Sequence, residues 1–295
     1  MQNIMRIFPP HIKNLLESLN LSTQNMQEIR VRINSPIYIM YQRREINTGH
    51  VVKESDIAYI MERICHYSLY AYEEEMRQGF VTIEGGHRIG LAGKVILQNS
   101  KIKSMSNITC LNIRVAGEKI GCADDIIGQL IEEGRVCHTL IMSPPGGGKT
   151  TILRDIIRQI SDGCVKKQID FKGINVGIVD ERSEIAACYK GIPSNDVGAR
   201  TDILDACPKA EGIIRLVRTM APKVIAVDEI GGKNDYEAIE YALTSGCSIM
   251  ATIHGKEIDD LKKNIYFKNC LEQGLFERLV IPKGAYGVCN RVFKL

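Results

Sequence analysis

The stretch HTLIMSPPGGGKTTILRDIIRQI, residues 138–160, constrains this chain more than any other. A short apolar run leads into three consecutive glycines, then Lys149-Thr150-Thr151, then residues with helical periodicity. Strand, glycine loop and helix in that order are the context that a G-x-x-x-x-G-K-[ST] phosphate loop requires. Gly146, Gly147 and Gly148, entered through Pro145, let the backbone wrap closely, so that several N–H groups point at one phosphate. The helix that follows adds the positive end of its dipole. Lys149 supplies a point charge to the outer phosphates, Thr150 offers a hydroxyl to Mg²⁺, and Thr151 follows it at the helix start. The first position of the pattern is Ser143, where glycine is usual. That position opens the loop, so a small cost in loop geometry is expected and no loss of binding.

A second motif narrows the chemistry. KVIAVDEI reads as a buried strand ending in Asp228-Glu229. Asp228 is placed to hold Mg²⁺, and Glu229 to polarise a water for attack on the γ-phosphate. No N-K-x-D guanine-reading pattern occurs, so ATP is favoured over GTP. Two more strand ends complete the candidate site: Asp180-Glu181-Arg182 with Glu184 beyond, and Thr252 with His254 two residues on. Short apolar runs at 138–142, 174–179, 223–228, 247–251 and 278–281 alternate with helical segments. That rhythm predicts an α/β unit with a parallel sheet covered by helices. One apolar strand lies between the phosphate-loop strand and the Asp228 strand in sequence, which resembles the additional-strand class of P-loop ATPases and implies that the later strand, SIMATIHG, sits between those two in space. Thr252 and His254 would then lie near the γ-phosphate, where histidine can hydrogen-bond phosphate or water in either protonation form.

The N-terminal third reads differently. Ile12, Leu15, Leu16 and Leu19 fall at helical spacing, and Ile29, Val31 and Ile33 alternate with Arg30 and Arg32 as in a half-exposed strand. Residues 37–41 read as a second strand, and Ser55 or Asp56 as the cap of a helix striped by Ile57, Ile60, Met61 and Ile64. Glu73-Glu74-Glu75 ends a further helical stretch, Gly85-Gly86 turns a hairpin, and Ile108–Val115 reads as a strand. The expected division is an α+β domain over 1–116, a connector over 117–136 with a short helix at Asp124–Glu133, and the phosphate-loop domain over 137–295.

Composition bounds the rest. The chain has 295 residues, 44% hydrophobic and 25% charged, which excludes disordered and fibrous classes. Its ten cysteines include no C-x-x-C pair, so reduced core thiols are expected and zinc-ribbon or disulfide frameworks are not. Residues 1–117 carry 14 Lys/Arg and 10 Asp/Glu, a formal +4, and the remainder is −1. This is no nucleic-acid footprint. No run approaches ~18 apolar residues, and MQNIMRIFPP lacks the apolar centre of a secretory signal, so a cytoplasmic chain without a membrane span is expected.

Several motifs together resemble one family. DERSEIA at 180–186, NDVGARTDILDACPKA at 195–210, the run IIRLVRTMAPKVIAVDEIG, the ATIHG box, GFVTIEGGHRIGLAGKV at 79–95 and EIRVR at 28–32 are similar to stage III sporulation protein AA. The resemblance implies a RecA-like ATPase similar to type II and type IV secretion and pilus retraction ATPases. It implies a ring hexamer with an N-terminal domain joined to the motor, using ATP and Mg²⁺. It further implies docking on an integral membrane component of a secretion-like complex, on the mother-cell side of the channel to the forespore. By the same resemblance Asp180, Glu181 and Glu184 correspond to an acidic box, and Thr252, His254 and Gly255 to a histidine box. Arg215 and Arg218 correspond to paired arginines, and Arg88 and Arg114 to arginines that reach a neighbour's nucleotide. Arg200 is a further candidate for that role. Glu229 is preferred over Glu181 as the catalytic carboxylate. Two alternatives stand beside the motor: a nucleic-acid motor or helicase loader, and an ATP-gated adaptor with little turnover.

Overall fold

The computed structural model describes residues 2–22, 25–65, 76–77, 79–98, 101–166, 169–257, 259–260, 267–268, 270, 273–282 and 290–295. The chain divides into two compact units, Met1–Glu118 and Lys119–Leu295.

Helices α1 (Gln2–Met5), α2 (Pro10–Ser18) and α3 (Glu54–Ile64) belong to the first unit. Its strands are β1 (Met26–Arg32), β2 (Pro36–Tyr41), β3 (Arg44–Val51), β4 (Phe80–Ile83), β5 (His87–Gln98) and β6 (Lys101–Arg114). They form one antiparallel sheet in the order β3-β2-β1-β6-β5-β4. The period-2 pattern does what it predicts. Ile29 and Val31 of β1 are buried, while Arg30 and Arg32 stay on the more open face. Ile12 and Leu16 of α2 and Ile57, Ile60 and Ile64 of α3 share a core with Ile39, Ile89, Leu111 and Ile113 of the sheet. The hairpin turn falls at Gly85-Gly86, both with positive φ.

Two details differ from expectation. The cap of α3 is Lys53, and Asp56 sits at the third helical position, where its carboxylate accepts the Lys53 N–H at 2.8 Å. β3 was not foreseen, because REINTGHV buries none of its residues and carries no apolar period. The helical stretch ending at Glu73-Glu74-Glu75 lies outside the described residues.

The second unit begins with a 3₁₀ turn at Ile127–Leu130 and the two-residue strands β7 (Ile131–Glu132) and β8 (Arg135–Val136). The expected α-helix over Asp124–Glu133 is therefore absent. The segment read as a connector is packed: Ala123, Ile126, Ile127, Leu130 and Val136 are all buried in this unit's core. Asp155 explains the conformation, since its carboxylate accepts the N–H groups of Gly121 (3.0 Å) and Ala123 (2.8 Å). Those bonds hold a turn where a helix would otherwise start.

β9 (Thr139–Ser143) feeds α4 (Lys149–Asp162). The hairpin β10 (Gly163–Lys166) and β11 (Ile169–Lys172) follows, then β12 (Val176–Asp180), β13 (Thr201–Asp205) and α5 (Lys209–Met220). β14 (Val224–Val227), α6 (Lys233–Thr244), β15 (Ser248–His254), β16 (Arg278–Pro282) and β17 (Asn290–Lys294) complete the unit. The main sheet runs β13-β12-β14-β15-β9-β16-β17, parallel except for the β16–β17 pair. β15 thus lies between β9 and β14, as the additional-strand resemblance implied. The strands are buried on both faces. Ile141, Ile178 and Ala226 meet Ile152, Ile156 and Ile160 of α4. Leu140, Ile225 and Ala251 meet Leu216 of α5 and Ile239 of α6. This double cover is why the strands read as unbroken apolar runs.

Candidate nucleotide site

The strands β9, β12, β14 and β15 are parallel, so their C-terminal ends converge on one edge of the sheet. In open α/β sheets that edge is where ligands bind. Ser143 leaves β9, and the chain turns through Pro144–Gly148 into α4. Gly148, the N-cap, has φ +89°, a left-handed conformation that glycine adopts without steric penalty. It offers no side chain to the first turn, and no side-chain cap is made there. The helix's opening N–H donors are thus left for an anion. Gly147 is required for a second reason. A Cβ placed there would stand 2.4 Å from Ser143 Oγ and 2.8 Å from Ser143 Cβ. The unusual serine at the first position therefore packs directly against the middle of the loop.

Lys149 is 7% exposed. Its ammonium reaches the Ser143 carbonyl at 3.3 Å and His254 Nδ1 at 2.9 Å. Burial lowers its pKa below the ordinary lysine value, and the carboxylates of Asp228, Glu229 and Glu184 act against that shift. Because an ammonium is donor-only, Nδ1 of His254 must accept, which puts the imidazole proton on Nε2. That nitrogen lies 3.1 Å from Glu229 Oε1. His254 thereby joins Lys149 to Glu229, the candidate catalytic carboxylate. Arg182 reaches the other oxygen of Glu229 at 3.2 Å.

A second chain of contacts runs beside the first. Thr150 Oγ1 donates to Asp228 Oδ2 at 2.8 Å. The fully buried Thr252 donates to Asp228 Oδ1 and accepts the backbone N–H of Glu229 at 2.8 Å. Glu229 itself has φ +51°, so its left-handed turn is held by this bond. The hydroxyl of Thr150 beside a carboxylate is the oxygen-donor pair that Mg²⁺ takes with water and phosphate oxygens completing its shell. The residues fit that ion.

The remaining expected residues make other contacts. Asp180, 1% exposed, accepts the N–H groups of Glu184, Ile185 and Ala186 at 2.8–3.0 Å. Burial pushes its pKa up, the three N–H groups pull it down, and nearby Asp205 adds to the rise. It clamps the loop after β12. Glu181 pairs with Lys209 at the start of α5. Arg215 and Arg218 are exposed on α5, and Arg218 Nε donates to Tyr241 Oη at 3.3 Å. Arg200 donates to the Ser161 carbonyl at 2.9 Å, at the end of α4. In the first unit Arg88 stands opposite Arg114 across β5 and β6, with its guanidinium 3.6 Å above the Phe80 ring.

Sequence reasoning named Arg182 without a role and passed over two charges in α4. Arg154, 7% exposed, donates to the carbonyls of Ile185 and Glu184, and Asp155 holds the 121–123 turn. Arg154 and Asp155, set between the apolar pairs Ile152-Leu153 and Ile156-Ile157, were the available signal. The nine described cysteines are free thiols and six are buried. Burial pushes Cys122 and Cys188 up to about 12, which makes them poor nucleophiles.

The fold is that of the RecA-like secretion and pilus ATPases. It is similar to the ATPase DotB of Legionella pneumophila, with a TM-score of 0.63 and 15% identity, covering 94% of this chain and 76% of that one. It is similar also to the pilus retraction motor PilT solved with bound ADP, with a TM-score of 0.58 and 15% identity, covering 96% of this chain and 80% of that one. Sequence then places the chain within that class. Residues 1–291 match the family described as "Sporulation stage III, protein AA", and the chain belongs to it. Stage III sporulation protein AA of Bacillus subtilis (strain 168) is 41% identical over 288 residues, 97% of this chain and 92% of that protein.

Proposed function

We propose that this chain is a Mg²⁺-dependent ATP hydrolase, the ring-forming motor of a sporulation secretion-like complex. The observation that supports it best is the convergence of Lys149, Thr150, Asp228, Glu229, Thr252 and His254 through two short hydrogen-bonded chains. ATP seats its outer phosphates against the loop Pro145–Gly148 and the N–H groups that open α4, with Thr151 in its first turn. Lys149 turns from Ser143 and His254 toward the phosphate. Thr150 and Asp228 would hold Mg²⁺, which would offset the negative charge of the phosphates. Glu229 orients a water and takes its proton. His254, released by Lys149 and still donating to Glu229 through Nε2, accepts from the water at Nδ1, or donates to the γ-phosphate there once the ring is protonated. Glu181, paired with Lys209, is the second candidate carboxylate by the acidic-box resemblance.

Two arginine sets, Arg88 with Arg114 and Arg215 with Arg218, are available to a neighbouring subunit's nucleotide, where such a group in trans is worth a factor of ~10³ to 10⁵ in rate. That supply, with the family membership, favours a hexamer. Among the described residues no helix is long and apolar enough to cross a membrane. The motor is accordingly proposed to act from the cytoplasm of the mother cell, docked on an integral membrane partner, without nucleic acid.

The test uses two variants and two readouts. Lys149→Ala is expected to abolish ATP binding. Glu229→Gln is expected to keep binding and to stop turnover. Normal turnover by Glu229→Gln would overturn the catalytic assignment, and tight ATP binding by Lys149→Ala would overturn the site.

A further inference from the structure

The first unit carries a cluster that nucleotide chemistry does not use. His11 of α2, His50 of β3 and Asp56 in the first turn of α3 each bring one ligand atom within 4.8 Å of the others. They come from three separate elements, so the tertiary fold assembles them. His11 Nε2 lies 3.1 Å from Asp56 Oδ1. The two imidazole centroids are 5.3 Å apart with the rings tilted by 49°, so the rings are not stacked flat.

Two further observations point to a ligand. Nε2 of His50 is buried and has no hydrogen-bond partner. Buried polar atoms in folded proteins are almost always paired, and an orphan marks a missing water or ion. Asp56 is itself oriented: its Oδ2 is committed to the Lys53 N–H at 2.8 Å, which leaves Oδ1 for the cluster. A hydrogen bond behind a carboxylate is the arrangement that fixes a metal ligand's direction. The Asp56 side chain is 4% exposed and that of His11 is 53% exposed, so one side of the cluster is open to water.

We propose that His11, His50 and Asp56 bind one divalent transition-metal ion, with zinc the best match. Two imidazoles and one carboxylate form a ligand set that zinc takes, with water in the fourth position. Ligand atoms of a tetrahedral zinc site lie about 3.3 Å apart, given bonds of roughly 2.0–2.1 Å. The His11–Asp56 pair already has that spacing, and the exposed His11 side chain has room to close on His50. The ion ties α2 to β3 and α3 and gives His50 Nε2 its partner. The site differs in kind from the oxygen-donor Mg²⁺ pair at Thr150 and Asp228.

The test uses the full chain, stripped with a chelator and reloaded with Zn²⁺ or Co²⁺ in the absence of nucleotide. The wild-type protein is expected to retain one equivalent of Zn²⁺ after desalting, and its Co²⁺ form to show visible absorption of a four-coordinate nitrogen–oxygen site. His11→Gln and His50→Gln are expected to bind at least tenfold more weakly and to lose that absorption. His11→Gln changes an exposed side chain, so circular dichroism of the metal-free protein should match wild type. Equal zinc content in all three proteins overturns the proposal, as does a wild type that retains none. A Co²⁺ spectrum with thiolate charge-transfer bands that His11→Gln leaves unchanged assigns the metal to cysteine and overturns it too.

Discussion

Thr252 offers the sharpest check on how the site is built. Its hydroxyl donates to Asp228 and accepts the N–H of Glu229, and the side chain is fully buried. Thr252→Val keeps the β-branched shape that β15 needs and removes only the hydroxyl. The Glu229 N–H is then buried without a partner, which costs about 1–3 kcal/mol. Asp228 loses a charge-assisted bond worth about 1.5–3 kcal/mol, although Thr150 still holds its other oxygen. The added methyl returns up to ~1 kcal/mol of burial. The expected net loss is about 1.5–6 kcal/mol, centred near 3–4. For a unit of this size that lowers the melting temperature by roughly 5–15 °C. Calorimetry measures it on the transition that ATP shifts upward. Glu229 also loses the bond that holds its left-handed turn, and a carboxylate displaced by ~1 Å costs on the order of 10²-fold in turnover. Nucleotide affinity should change little, since Lys149 and the loop are untouched. Thr252→Ser should restore most of both losses. A Thr252→Val protein with unchanged melting and unchanged turnover would refute the reasoning, because the hydroxyl would then be carrying neither carboxylate nor turn.

Two further outcomes follow from other contacts. Gly147→Ala drives a Cβ into Ser143, so ATP affinity should fall at least tenfold, and Ser143→Gly in the same chain should recover part of it, as a double-mutant cycle by titration calorimetry would show. His87, 8% exposed, accepts the Ala116 N–H at 3.0 Å, and burial lowers its pKa to about 4 from 6.5. A histidine depressed in the fold is protonated first in the unfolded chain, so stability falls as pH drops from 6.5 toward 4, by ~3 kcal/mol for this group. Urea unfolding across that range should show a shallower loss in His87→Gln, and an unchanged slope would exclude His87 as the source.

The candidate nucleotide site was legible because its signals are local. A glycine loop between strand and helix, and an acidic pair at a strand end, are contiguous in sequence and need no partner to be recognised. The five central strands were legible for a related reason, since burial on both faces writes an uninterrupted apolar run. β3 and β13 were not, because both are edge strands whose stability comes from a neighbour's backbone, and their residues are half exposed. The 117–136 segment misled because its apolar residues have helix-like spacing, whereas Asp155, some thirty residues on, sets the turn. The backbone contacts of Asp180 were out of reach for the same reason. A carboxylate at a strand end looks free in sequence, and only the fold brings three backbone N–H groups onto it.

The sequence alone determined an α/β unit behind an α+β one, and it named a candidate phosphate loop and a candidate pair of carboxylates. These depend on periodicity and short motifs, which the chain carries residue by residue. Tertiary structure decided which charges belong together. It placed Lys149, His254 and Glu229 in one hydrogen-bonded line, turned Asp180 and Arg200 to holding backbone, and gathered His11, His50 and Asp56 from three elements. Those pairings depend on distances between segments far apart in the chain, and no local spacing encodes a distance across the fold.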